Sequence, residues 1–164
     1  MAQIIDTDAC LRLGNAFMCV FFTLAAYVQL NDPDATVWFA TYFVPAVVCF
    51  SEASQPRRFQ QHTKLRQAAI GVGLLLAAPL MAVSVWGWLR DTQCRGANPL
   101  VCEYGRETLG SAIVLSWLFV VSGRAAKPSS SRVWLYVLLS LAPMGLWAGL
   151  LLGDAIAYFC VPLT

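Results

Sequence analysis

Two short polar runs hold the side chains of this chain best suited to chemistry. Asn31-Asp32-Pro33-Asp34 sets two carboxylates around a proline, and Glu103-Tyr104-Gly105-Arg106-Glu107 sets two more with a guanidinium between them. At that spacing Glu103 and Glu107 fall one turn apart on a helix face. Carboxylates gathered at one membrane face can ligate a hard cation such as calcium, which prefers several such oxygens. They can also perform acid–base chemistry in an open cleft if their pKa values are raised. The third option is structural: Asp32 caps a helix, and Arg106 pairs with an acid and staples the neighbouring helix to it. No EF-hand-like loop accompanies these acids, so Asn31, Asp32, Asp34, Glu103, Arg106 and Glu107 form a candidate polar cluster, with no catalytic residue and no metal ligand assigned.

Other chemistries lack their parts. The single histidine, His62, lies in a basic connector, and one copy builds neither a bis-histidine haem nor a His-rich zinc site. Six cysteines include no Cys-x-x-Cys pair, which removes the usual signature of a membrane thiol oxidoreductase. Cys94 and Cys102 share a connector and form a candidate disulfide; closing that loop stabilises by roughly 2 to 3 kcal/mol in an oxidising compartment. Two free thiols are the equal alternative. Cys10 lies near a membrane interface where acylation is chemically open, while Cys19, Cys49 and Cys160 are scattered. No nucleophile–base pair stands out, and no cofactor is implied.

The elements that must position these residues follow from composition. Of 164 residues, 59% are apolar and 12% charged, with a mean hydropathy of +0.63. A soluble domain carries about 25% charged residues, so a soluble enzyme is excluded. A net charge of +2 with dispersed Lys and Arg gives no nucleic-acid footprint. A helix crosses about 30 Å of hydrocarbon with about 20 apolar residues. Runs at 13–30, 68–89, 108–123 and 133–153 lack Asp, Glu, Lys, Arg and His. A further run, 36–50, is short and contains Pro45. Asp32 as a cap, Pro33 in the first helical position and Asp34 at the positive dipole end extend it to 33–54, with Glu52 tolerated near the interface. The sequence thus predicts an all-α polytopic bundle of five transmembrane helices, one integral membrane domain over 1–164. The alternative has four spans plus an interfacial or re-entrant segment.

With five spans, Arg12, Arg57, Arg58, Lys64, Arg66, Arg124, Lys127 and Arg132 share one side, against Arg90, Arg95 and Arg106 on the other. The positive-inside rule then places the N-terminus in the cytoplasm and the C-terminus outside. Asp6 and Asp8 ahead of the first span suit a retained anchor rather than a cleaved signal.

Lipid gives no hydrophobic reward for helix contact, so small residues mark packing faces. Gly145, Gly149 and Gly153 recur every four residues, as do Ala69, Gly73 and Ala77, and Ala112 with Ser116. The Gly145/Gly149/Gly153 face serves intramolecular packing or docks a membrane-protein partner. Pro79 and Pro143 predict kinks. Trp38, Trp86, Trp88 and Trp134 read as headgroup anchors. No span holds an acid or base near its middle; Asn15, Thr23, Gln29, Ser84, Ser116 and Ser140 are its conspicuous polar members, which disfavours ion-coupled transport.

The run Tyr27-Val-Gln-Leu-Asn31-Asp32-Pro33-Asp34, followed by Trp38, Tyr42 and Pro45, resembles the transmembrane protein 220 family of small multipass proteins, as does the run from Glu103 to Glu107 ahead of a span. The resemblance implies a multipass membrane protein in which Asn31, Asp32, Pro33 and Asp34 match one family motif and Gly105, Arg106 and Glu107 another. It brings no reaction, substrate or cofactor. The connector holding Cys94 and Cys102 and the tail 155–164 depart from the family pattern. The leading expectation is therefore a non-enzymatic accessory or interaction protein embedded in the lipid bilayer, with an outward-facing acidic/Arg cluster. The alternatives are a channel or carrier for an uncharged or lipidic solute, a membrane-interface enzyme and a cation-binding protein.

Overall fold

The computed structural model describes residues 7–31, 33–54, 63–92 and 102–122, together with Leu135, Leu138, Leu139, Leu141, Ala142, Gly145 and Gly149. Four long helices make up the continuous part: α1 (Thr7–Val28), α2 (Ala35–Ser54), α3 (Thr63–Arg90) and α4 (Glu103–Ser122). A 3-10 turn, Gln29–Asn31, continues α1. No strand occurs among the described residues.

Three helical stretches are long and apolar enough to cross a bilayer: Ala9–Asn31, Ala35–Ser54 and Lys64–Arg90. The expected count of five is not supported. α4 is as long as α2, but Glu103, Arg106 and Glu107 occupy its first turns and leave an uncharged stretch only from Thr108 to Ser122. Of the run at 133–153, the seven described residues are helical; the remainder, Pro143 and Gly153 included, lies outside the described residues.

Large apolar side chains face outward along these rods. Leu13, Val20, Leu24, Leu75, Val83 and Phe119 are all more than half exposed, a surface that lipid tolerates and water does not. Inside lies a core of Met18, Phe22, Trp38, Tyr42, Val48, Ala77, Val114, Trp117 and Leu118. α2 is the central rod: 44% of its apolar window is buried, against 28% for α1 and 22% for α3. Its buried residues, Trp38, Thr41, Tyr42, Pro45, Ala46, Val48, Cys49 and Glu52, recur at helical spacing along one broad stripe.

Two registers fix the bundle. α3 and α4 run antiparallel, because Gly87 meets Tyr104, Ser84 meets Glu107 and Gly73 meets Leu118, each step along one helix matched by an equal step back along the other. α2 and α4 run parallel, because Tyr42 meets Gly110 and, seven residues on, Cys49 meets Trp117. The starts of α2 and α4 consequently lie at the same end of the bundle, here called the acidic end. α1 returns antiparallel to α2, with the Arg12 Nε–H donating to the Ala53 carbonyl over 3.1 Å at the opposite end.

Two local expectations change. α2 starts at Ala35 rather than Pro33: the Val37 N–H donates to the Asp34 carbonyl over 3.1 Å, so Pro33 and Asp34 form a turn ahead of the helix. Trp38 is no headgroup anchor, since it is buried and stacks on Tyr42 with ring centroids 6.1 Å apart. Its place on the inward stripe of α2 outweighs its closeness to a helix end. Trp86 does sit exposed near the end of α3, with the Arg90 guanidinium 4.3 Å over its ring. α3 continues unbroken through Pro79, whose ring faces outward.

Candidate functional site

The acidic end is built by the first turns of α2 and α4 and the last turns of α3. α4 begins where the Arg106 N–H donates to the Cys102 carbonyl over 3.0 Å, so Glu103 stands in the first turn, where its charge complements the helix dipole. Glu107 follows one turn later, and its Oε2 accepts the Ser84 hydroxyl of α3 over 2.9 Å. Burial pushes the Glu107 carboxyl above the ordinary glutamate range; the Ser84 bond opposes this, the Glu103 and Asp34 charges add to it, and Arg106 opposes it. The structure thus brings Asp34, Glu103, Arg106 and Glu107 into one electrostatic neighbourhood. Asn31, Asp34, Glu103 and Arg106 are exposed and Glu107 half-buried. Asp32 lies outside the described residues, as does Cys94. Cys102 is disulfide-bonded, and its pairing with Cys94 stays a proposal. Cys10, Cys19 and Cys49 are free thiols.

Beneath the carboxylates the seam between α2, α3 and α4 stays polar for about a turn. The Tyr42 phenol lies within electrostatic reach of Glu107 and fills the space that a side chain at Gly110 would need: a Cβ there would stand 1.9 Å from the phenol oxygen. Gly87 likewise makes room for the Tyr104 ring, which a Cβ would meet at 2.6 Å. Ser84, Thr108 and Ser111 are buried, and the hydroxyl oxygens of Thr108 and Ser111 have no hydrogen-bond partner.

The opposite end carries a charge pair that sequence reasoning did not single out. Glu52, fully buried on α2, accepts the Arg66 Nε–H of α3 over 2.7 Å, and Arg66 Nη2 also donates to the Val121 carbonyl in the last turn of α4. One guanidinium thereby ties three helices and satisfies a carbonyl that the end of α4 would leave open. The signal was present: Glu52 continues the inward stripe Tyr42, Pro45, Cys49 of α2, and Arg66 begins the stripe Ile70, Gly73, Ala77 of α3. Treating Glu52 as an interface residue and Arg66 as one charge of a basic side hides that periodicity. Nearby, the Trp117 Nε1–H donates to Cys49 Sγ over 2.9 Å.

The family model described as "Transmembrane family 220, helix" matches residues 21–122. The chain belongs to that family. It is 32% identical over 141 residues to Transmembrane protein 220 of Xenopus laevis, covering 83% of this chain and 72% of that protein. No solved structure matches it. The family match takes in the acidic end and the Glu52–Arg66 pair alike. Arg12 and the Gly145/Gly149/Gly153 run lie beyond it.

The remaining expected contacts divide. Gly73 is buried, and a Cβ on it would stand 2.6 Å from the Leu118 side chain; Ala77 is buried on the same stripe. Ala112 and Ser116 instead face an open apolar groove of about 490 Å³, where Leu109, Ile113 and Trp117 oppose Leu139, Ala142 and Gly145. Gly145 and Gly149 are exposed, and a Cβ on either would meet nothing within 4 Å. Three of the polar span residues bond within their own helices. The Asn15 Nδ2–H returns to the Leu11 carbonyl over 2.8 Å, and Thr23 and Ser116 donate to Cys19 and Ala112 on their own helices.

Proposed function

We propose that this membrane protein of the transmembrane 220 family is a non-enzymatic accessory or interaction protein that seats a membrane-embedded partner helix against α4 and the Gly145/Gly149 face. The observation that carries this reading is the open apolar groove of about 490 Å³ lined in part by Gly145, with Gly145 and Gly149 exposed and a Cβ on either meeting nothing within 4 Å. Without a hydrophobic drive between helices, backbone access of this kind favours close helix contact. The carrier reading loses support because Asn15, Thr23 and Ser116 hydrogen-bond within their own helices instead of lining a common path. Purification of the full chain from its own membrane in mild detergent tests the proposal. A defined membrane protein should co-purify, and Gly145→Leu with Gly149→Leu should release it while α1–α4 stay folded. A chain that runs as a lone monomer and turns over an added lipid would overturn it.

A further inference from the structure

α4 carries its charges and its open face in a definite order. Glu103 and Arg106 are exposed in its first turns, and from Leu109 onward the helix faces the apolar groove through Ile113 and Ser116. Leu109 stands three residues beyond Arg106 and Ile113 seven, the spacings at which helical side chains share a face. Glu103 stands three residues before Arg106, so its side chain adjoins the guanidinium about 4.5 Å farther out along the axis. From its start inward, α4 thus presents an acid, a base and then hydrocarbon.

The size of the groove decides what can lie in it. It follows α4 from Leu109 to Trp117, about 12 Å at about 1.5 Å per residue, so its volume of about 490 Å³ leaves a mean cross-section of about 40 Å². A helix with its side chains is about 10–12 Å across and needs about twice that area or more. A partner helix can therefore cross the rim at Gly145 and Gly149 but cannot lie along the floor. A hydrocarbon chain is thinner, and it matches a lining of Leu109, Ile113, Trp117, Leu139 and Ala142. The charges above the groove call for more than hydrocarbon. Asp34, Glu103 and Arg106 all act on Glu107, which places them in one neighbourhood. The exposed acids favour a cation, while a guanidinium has N–H donors enough to hold a phosphate beside its own acids.

We propose that the groove, with Arg106 and Glu103 above it, forms a binding site for one phospholipid with a primary-ammonium headgroup, of the phosphatidylethanolamine class. One acyl chain lies between α4 and the helical residues Leu139, Ala142 and Gly145, Arg106 holds the phosphate, and Glu103 accepts from the ammonium beyond it. The order matches, because in such a lipid the amine lies outside the phosphate and the phosphate outside the chain. An anionic headgroup without an amine meets Arg106 but is repelled by Asp34 and Glu103. A quaternary amine offers Glu103 no N–H to accept. The lipid fills a space that a partner helix cannot, so the site does not depend on partner docking.

The test uses the full chain in detergent, delipidated and then offered equal amounts of phosphatidylethanolamine, phosphatidylcholine, phosphatidylglycerol and diacylglycerol with identical acyl chains. Native mass spectrometry reads which of them is retained. A single phosphatidylethanolamine should be kept about threefold over phosphatidylcholine, the scale of an exposed ion pair, and about tenfold over diacylglycerol, the scale of charge-assisted hydrogen bonds to Arg106. Arg106→Gln should remove the preference over diacylglycerol, and Glu103→Gln the preference over phosphatidylcholine. Ala112→Phe, which fills the groove, should lower retention of all four lipids, whereas Leu75→Ala on the exposed face of α3 should change nothing. No retained lipid on the wild-type chain, equal retention of the four, or unchanged selectivity in both Arg106→Gln and Glu103→Gln would overturn the proposal. So would a lipid-free dimer that Ala112→Phe dissociates, which would assign the groove to a second copy. Headgroup selectivity is read on the isolated chain, so its failure leaves partner docking untouched.

Discussion

Glu52 and Glu107 are carboxylates at opposite ends of the same bundle, and they are handled in opposite ways. Glu52 is fully buried against a guanidinium that also reaches the Val121 carbonyl. Glu107 is half-buried, bonded to a neutral hydroxyl and crowded by Asp34 and Glu103. Removing a charge from water is tolerated where an opposite charge and satisfied hydrogen bonds accompany it, so the paired end can close. The acidic end gathers Asp34, Glu103 and Glu107 around one guanidinium, Arg106, and all of these but Glu107 are exposed. Its helices are fastened by shape instead, through Tyr104 against Gly87 and Tyr42 against Gly110. One end is held by a buried charge pair, the other by glycine–aromatic contact together with the Ser84–Glu107 hydrogen bond.

The largest effect is expected on removing one partner of the paired end. Arg66→Ala leaves Glu52 buried without its counter-charge and opens the Val121 carbonyl, and should cost about 3 to 5 kcal/mol in unfolding measured in detergent. Replacing both partners, with Glu52→Leu and Arg66→Met, should cost clearly less than the single change, because no lone charge is left behind. Equal losses would mean that the pair contributes packing rather than charge compensation.

Next in size is the acidic end. Gly110→Ala should cost about 1 to 3 kcal/mol, because its new Cβ overlaps the Tyr42 phenol oxygen and the core is already filled. Adding Tyr42→Phe removes that oxygen, and the next ring atom lies at 3.1 Å, so the double variant should recover most of the loss. A double variant no better than Gly110→Ala alone would separate the glycine from the phenol.

The smallest effect is the most specific. With its folded pKa raised, Glu107 retains its proton in the folded state at pH values where the unfolded chain has released it. Its contribution to stability is therefore fullest below the ordinary glutamate value of 4.5 and declines as pH rises through the raised folded value. The thermal midpoint in detergent should fall across that window, and Glu107→Gln should flatten the fall. A slope that persists in Glu107→Gln would assign the titration to Asp34 or Glu103 instead.

The acidic residues are legible in the sequence as a group and the Glu52–Arg66 pair is not, for a physical reason visible in the residues. Asp32 with Asp34, and Glu103 with Arg106 and Glu107, are crowded into two short polar runs, so their spacing alone marks them as groups. Glu52 and Arg66 stand at the edges of apolar runs, where charges are ordinary, and only the helical phase of each stripe shows that they point inward. Trp38 was misread on the same ground: nearness to a span end suggested an anchor, while its phase with Tyr42 and Pro45 placed it in the core. Helical structure covers every described residue of the runs 13–30, 36–50, 68–89 and 108–123, because apolar runs bounded by polar turns leave the backbone few other ways to satisfy its hydrogen bonds in lipid.

Sequence by itself determined the membrane setting, the helical class, the family and the turn that joins α1 to α2, since each depends on local pattern and backbone chemistry. Tertiary structure decided the partnerships: Arg66 with Glu52 across 14 residues and with the Val121 carbonyl across 55, Trp117 with Cys49 across 68, Ser84 with Glu107 across 23. Such contacts depend on which helices adjoin and in which register. That is set by how glycines, rings and rods fit together in three dimensions, and no window along the chain contains it.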